Sequence, residues 1–454
     1  MSARFQVAVI GSGSAGKAAA LFAARHGIST VLIEKDALGG ACFHRGCIPM
    51  RALRACAQAF KFASRSARFG LRLEDRSAAL PDWLNTRRKT SARLEENLSK
   101  QLETMNVCLR YGHARFVEPN RLRLSDSYGQ NSDLTADHVI IAAGSRPAFS
   151  SNKSAKLLNS DDLLRHNEVP RHLLIIGAGY IGCEFASIYR TLGSEVTLIE
   201  KASRLLSEWD ETAGARIAHG LEANGVRILL NEEVDISSLA AGPGGDVLVP
   251  ASVGCLPIDL VLVATGRQPN AEDLGLETVG IKAPWFVAVN GQMQTSQHDV
   301  FAVGDINGIS LLDSTAVWQA RIAVEAILGS HARFDLRGIP KCVHTEPQVA
   351  SVGWAEHEAV EAGLDVLVAS ESGRFITEAE STVVDPEPTT VKLLATAKSK
   401  RILGCLAIGP QAGEIVNLVS SSLQLDGTLS KLDRIPFVHP SAAEMLQRCA
   451  SQLV

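Results

Sequence analysis

The stretch FQVAVIGSGSAGKAAALFAARHGISTVLIE, Phe5 to Glu34, decides the fold. It opens on an apolar run, turns at Gly11-x-Gly13-x-x-Gly16, continues as an alanine-rich segment and closes on a second apolar run ending in Glu34. Strand, glycine turn, helix and parallel strand in that order make the βαβ unit that binds a dinucleotide. Gly11 makes the tight turn, Gly13 lets the backbone approach a pyrophosphate, and Gly16 lets helix and sheet pack closely. The helix N-terminus offers amides and a positive dipole end to the phosphates. The acidic residue that accepts from ribose hydroxyls stands about 20 positions on, where the chain has Glu34.

The pattern recurs. RHLLIIGAGYIGCEFASIYRTLGSEVTLIE, Arg171 to Glu200, carries Gly177-x-Gly179-x-x-Gly182 and ends in Glu200. The chain therefore holds two dinucleotide sites. A carboxylate at Glu200 welcomes a free 2′-hydroxyl and repels a 2′-phosphate, so the second site is expected to take NAD(H) over NADP(H), despite Lys201 and Arg204 nearby. DHVIIAAGSRP (137–147) and DLVLVATGRQPN (259–270) each read as a strand followed by a glycine turn, and TSQHDVFAVGDI (295–306) as a short strand ending at Gly304-Asp305.

Composition sets the frame around these units. A length of 454 residues suits about three domains. Hydrophobic residues make up 46%, a globular value, and the net charge of −4 comes without a basic block. Nucleic acid and anionic membrane surfaces are not expected partners. No run approaches the roughly 18 apolar residues of a membrane span, and the start has no signal-peptide pattern, so a cytoplasmic location is expected. The nine cysteines are then no secreted disulfide framework. Cys56, Cys108, Cys183, Cys255, Cys342 and Cys405 are isolated and read as small buried apolar residues.

Cys42 and Cys47, in GGACFHRGCIPMRAL (39–53), are different. In a regular helix, Cα atoms five residues apart lie beyond the roughly 7 Å limit for a disulfide. A bridge needs a broken helix, and Gly46 and Pro49 provide one. The helix resuming around Pro49 points its N-terminus near Cys47, which favours a thiolate there. So short a loop is a poor structural staple. A zinc site lacks a second close Cys/His pair, and no metal is assigned. The favoured reading is a working redox pair. Near the other end, FVHPSAAEML (437–446) places His439 before a helix opened by Pro440, with Glu444 about a turn further on. A carboxylate on one imidazole nitrogen fixes the tautomer and raises basicity, which suits a general base for a thiol proton.

The glycine motif at 11–16, GGACFHRGCIPMRA, the two glycine turns, Gly304-Asp305 and HPSAAE together resemble the pyridine nucleotide-disulfide oxidoreductases over nearly the whole chain. Within them the sequence is most similar to dihydrolipoamide dehydrogenases. The resemblance implies an α/β fold of two Rossmann-like dinucleotide-binding domains plus a C-terminal α+β dimerisation domain, and an obligate homodimer. It implies FAD on Gly11, Gly13, Gly16, Glu34, Gly144 and Asp305, and NAD on Gly177, Gly179, Tyr180, Gly182, Glu200 and Gly266. It makes Cys42 the thiol that exchanges with substrate and Cys47 the thiol beside the flavin, places Glu184 near the flavin, and supplies His439 from the other subunit. The implied activity passes two electrons between a dihydrolipoyl group and NAD+ through the disulfide and FAD. The substrate would be a lipoyl-carrying protein or a small dithiol or disulfide. The alternatives are a related NAD(P)H-dependent reductase of another disulfide and a silent nucleotide-binding paralogue, although the latter should have lost Cys42, Cys47 or His439. The implied organisation is an FAD domain at 1–150 returning at 271–338, an NAD domain at 151–270 and an interface domain at 339–454.

The sequence departs from that family at three places. Ala41 replaces a threonine, and Met50-Arg51 replaces Ser-Lys, whose lysine pairs with the carboxylate matching Glu184. Asp313-Ser314 stands where Ala-His is common. AAGPGGD (240–246) and DPEPTT (385–390) read as surface turns.

Overall fold

Alternating small and branched side chains build the first sheet. In a computed structural model describing residues 3–73, 80–152, 156–241, 247–249, 256–373 and 388–454, the strand Ala3–Ile10 lies between Thr30–Glu34 and Asn131–Ile141, both parallel to it. Cys108–Tyr111 extends one side, Val300–Ala302 pairs with Asn131–Ile141, and an antiparallel meander of Arg121–Ser125 and His113–Glu118 completes the sheet. Val7 and Val9 point to one face, where alanines of the helices Ser14–Arg25 and Asp313–Ile327 pack. Ala8 and Ile10 point to the other, against Val31, Ile33, Phe116 and Leu122. Burial on both faces is why these strands read as unbroken apolar runs. The sheet belongs to a compact unit of residues 1–53, 81–148 and 266–336.

The second unit comprises 54–80, 149–265 and 337–454. Its parallel sheet runs Arg227–Leu230, Glu195–Glu200, His172–Ile176, Leu260–Val263, Leu157–Leu158. A separate five-stranded antiparallel sheet runs Lys341–Val343, Val349–Gly353, Ile402–Ile408, Thr389–Thr396, Val366–Gly373. Val391, Leu393 and Cys405 of that sheet pack with Val416, Val419, Met445 and Cys449 of the helices Ala412–Gln424 and Glu444–Leu453. Two Rossmann-like sheets and an α+β segment are thus present, as the sequence implied.

One detail differs from the sequence reading. Cys183 and Cys405 are buried, but Cys56, Cys108 and Cys342 are only half-buried. The stretch from Pro340 forms two antiparallel strands before its helix, because the turn at 344–348 folds Val349–Gly353 back onto Lys341–Val343. The turns at 240–246 and 385–390, and Cys255, lie wholly or partly outside the described residues. Among the described residues no helix is long and apolar enough to cross a membrane.

Candidate active site

The two glycine turns are built alike. Gly11 and Gly177 take φ of +98° and +102°, which a side chain disfavours. A Cβ on Gly16 would lie 1.7 Å from the Gly11 carbonyl oxygen, and one on Gly182 1.9 Å from that of Gly177. At Gly13 and Gly179, which begin the helices Ser14–Arg25 and Tyr180–Thr191, nothing lies within 4 Å of a Cβ position. That open space is where a pyrophosphate would approach the helix amides.

The acidic partners repeat the symmetry. Glu34 Oε2 accepts from the Ser12 amide (2.8 Å) and hydroxyl (2.6 Å), and Oε1 from the Asp36 amide (2.9 Å). Glu200 Oε2 accepts from the Ala178 amide (2.7 Å) and Oε1 from the Ala202 amide (2.9 Å). Each carboxylate is pinned beside its glycine turn with lone pairs left for sugar hydroxyls. Arg204 donates to the carbonyls of Ser207 and Trp209, so that cation serves its own loop. Lys201 is exposed.

These contrasts give a two-part prediction. Gly13→Ala and Gly179→Ala should change folding stability by about 1 kcal/mol at most, yet weaken dinucleotide binding at least tenfold. Gly16→Ala should destabilise the fold itself, by about 1–3 kcal/mol or more, because main chain must move. Thermal melts and cofactor titrations on the same preparations check both parts.

The remaining cofactor residues lie at strand ends. Gly144 (φ +69°) follows Asn131–Ile141 in the first unit, and Gly266 (φ +134°) opens that unit's last segment. Gly177, Gly179, Tyr180, Gly182, Glu184 and Glu200 all belong to the second unit. Asp305 Oδ2 accepts from the Ser145 hydroxyl (2.5 Å) and lies 3.9 Å from Arg267 Nε. Burial pushes the Asp305 carboxyl above the ordinary carboxylate range, opposed by the Ser145 hydrogen bond and the Arg267 charge. Ser145 and Arg267 were not singled out in the sequence, since their link to Asp305 spans distant segments.

The cysteine segment is attached to the first turn. The Gly39 amide donates to Ser12 Oγ (3.1 Å), and a Cβ on Gly40 would lie 2.9 Å from Gly13 Cα. Cys42 sits in the short helix Gly40–His44. Arg45 leaves helical geometry at φ −140°, and a new helix runs Cys47–Ser64. The break falls where Gly46 stands, and Pro49 is the third residue of the new helix. Both cysteines are thiols here, Cys42 half-buried and Cys47 exposed. The Cys42 thiol is held well above the usual thiol range, first by its hydrogen bond with Cys47, then by burial, then by the charges of Cys47 and Asp313, with the Ser14 hydroxyl opposing. The two sulfurs lie within 4.8 Å of each other and of an Asp313 carboxylate oxygen.

Elsewhere, His439 Nδ1 lies 3.1 and 3.0 Å from the two Glu444 oxygens, and Glu444 Oε1 also accepts from the Ser441 amide (2.7 Å). The His439 side chain is 81% exposed and that of Glu444 17%. Because a carboxylate only accepts, Nδ1 carries the proton and Nε2 is left as the basic nitrogen. The bond from His439, then the Ser441 amide, hold the Glu444 carboxyl below its ordinary range, so it stays an acceptor in mild acid. Glu184 is buried, and its Oε1 accepts from the His344 amide (2.8 Å). Arg51 is exposed on the helix Cys47–Ser64.

Comparison with known proteins agrees with this arrangement. Residues 5–325 match the pyridine nucleotide-disulphide oxidoreductase family, and residues 339–450 match the dimerisation domain of the same family. Dihydrolipoyl dehydrogenase 3 of Haloarcula marismortui is 30% identical, covering 98% of this chain and 95% of its own length. Leghemoglobin reductase of Glycine max is 30% identical over 98% of this chain and 86% of its own. The crystal structure of LpdA from Mycobacterium tuberculosis superposes with a TM-score of 0.91 at 25% identity, covering all of both chains. The cofactors of the family are FAD and NAD(P), which fit the two glycine turns with their buttressed acids. With the match extending over both its catalytic and its dimerisation parts, this chain belongs to the pyridine nucleotide-disulphide oxidoreductase family, an FAD- and pyridine nucleotide-using group of oxidoreductases.

Proposed function

We propose that the chain is an NAD-dependent dihydrolipoyl dehydrogenase, oxidising a dihydrolipoyl dithiol to the cyclic disulfide and reducing NAD+ to NADH with release of one proton. The observation that carries this is the Cys42–Cys47 pair, interacting through its sulfurs and attached through Ser12 and Gly40 to the first dinucleotide turn. His439 takes the first substrate proton. The substrate thiolate attacks Cys42 of the disulfide, and Cys47 leaves as a thiolate. The second substrate thiol displaces Cys42, releasing the oxidised substrate and leaving the pair reduced. FAD, when bound, supplies the two-electron connection between the cysteines and the nicotinamide. Glu444 holds the His439 tautomer, Asp305 and Glu34 hold FAD, and Glu200 selects NAD.

The dimerisation domain supports a homodimer, with His439 contributed to the other subunit's cysteines. The domain partition goes with it: 1–150 and 271–338 for FAD, 151–270 for NAD, 339–454 for the interface. A cytoplasmic setting suits a dithiol catalyst. A second reading, reduction of a different disulfide by NADH, is favoured by one observation. Asp313 puts a carboxylate beside the cysteines, where the resemblance to dihydrolipoamide dehydrogenases implies an uncharged alanine. Initial rates with dihydrolipoamide and NAD+ decide between them. Robust NADH formation supports the first reading, and turnover only with other disulfides supports the second.

The nucleotide assignment has its own test. Glu200→Ala should narrow the preference for NAD+ over NADP+ at least tenfold, because the carboxylate no longer repels the 2′-phosphate. The kcat/KM ratio for the two nucleotides measures it.

A further inference from the structure

The short helix Gly40–His44 carries Cys42 and stops before Cys47. In an unbroken helix the Phe43 carbonyl would accept from the Cys47 amide, and the two cysteines would stand beyond bridging range. Here that carbonyl accepts from the Ser91 hydroxyl (2.9 Å) in a buried contact. Ser91 stands in the helix Leu80–Thr104 and is 7% exposed. One turn further along the same face, Glu95 Oε1 lies 3.0 Å from His44 Nε2. The same nitrogen lies 2.8 Å from the Leu38 carbonyl. A carbonyl only accepts, so Nε2 carries the proton and the ring ties the end of the short helix back to a point before its start. Leu98 of the helix Leu80–Thr104 shares a core with Phe43, and Cys42 and Ile48 pack against that core.

We propose that Ser91, His44 and Glu95 are positioning residues for the redox pair, holding open the helix break that lets Cys42 and Cys47 reach one another. Gly46 and Pro49 permit the break in the main chain, and the helix Leu80–Thr104 keeps it in place by occupying the carbonyl that a continuing helix would use. The three residues act through Phe43 and His44 rather than on a sulfur. Their effect falls on the thiol–disulfide equilibrium. Closing the pair joins two sulfurs with loss of two protons and two electrons, and it demands the bent geometry that the clamp maintains. Without the Ser91 hydroxyl the buried Phe43 carbonyl gains by turning to the Cys47 amide, so a through-running helix and the dithiol form are favoured. The inference rests on the proposed redox role of the same cysteines.

The test is an equilibrium measurement on the FAD-loaded dimer. It is held anaerobically with dithiothreitol and its cyclic disulfide in set ratios, so that each exchange moves two electrons and two protons between reagent and pair. Acid quenching, alkylation and intact mass give the closed fraction. Ser91→Ala should shift the equilibrium toward the dithiol by about tenfold or more, which is about 30 mV for a two-electron couple. His44→Leu and Glu95→Ala should each shift it the same way by about threefold, as suits partly exposed contacts. The His44 and Glu95 side chains are 20% and 36% exposed, so these variants should fold even where Ser91→Ala does not. A merely structural role would lower the melting temperature and leave the equilibrium unmoved. A folded variant with the wild-type equilibrium removes its residue from the clamp, and that result in every folded variant overturns the clamp while the redox pair stands. If the wild-type pair closes at no reagent ratio, the redox pair fails and the clamp fails with it.

Discussion

Replacing Cys47 with serine lowers disulfide-linked turnover at least about 10³-fold, and Cys42→Ser does the same, because each is half of one covalent relay. The losses should not add: the double variant is expected to match either single one, as for residues that act as a unit. The fold should be untouched. Cys47 is exposed and serine is nearly isosteric, and Cys42 lies in a five-residue helix at the edge of the first core. Both variants should purify with FAD, since the Glu34, Ser12 and Asp305 contacts remain. Steady-state rates with dihydrolipoamide and NAD+, beside the flavin spectrum, separate loss of chemistry from loss of cofactor. A variant that kept a tenth of wild-type turnover would remove the relay.

His439→Gln carries the second large effect, a loss of about 10²–10⁴-fold in the thiol-dependent half-reaction. The geometry argues for this magnitude. Both Glu444 oxygens face Nδ1, so the ring is oriented and its other nitrogen is committed as acceptor. Added imidazole should restore part of the rate to His439→Ala. Glu444→Gln should lose less, because the ring keeps its nitrogen but loses its orientation. Reduction of the disulfide by NADH should be nearly normal in all three, since no substrate thiol is involved.

Much of this was readable in the sequence because it is local. The glycine turns, Glu34 and Glu200 lie within single βαβ units, and their spacing alone places them. The break between Cys42 and Cys47 follows from Gly46 and Pro49, and the His439–Glu444 bond from five residues of separation. What the sequence could not reveal depends on contacts between distant segments. Ser12 joins Glu34 to the cysteine loop through its hydroxyl. Arg267 and Ser145 flank Asp305 from two different strands. Asp313 stood out only as an unusual residue, and nothing in its spacing showed that it would face the thiols.

Thiol counting on the purified FAD-loaded dimer, unfolded before and after anaerobic addition of NADH, tests the central claim most directly. The chain has nine cysteines. The account predicts that NADH raises the count by two per chain, to nine, and that the increase is absent in Cys42→Ser and Cys47→Ser. Nine thiols both before and after NADH would contradict it.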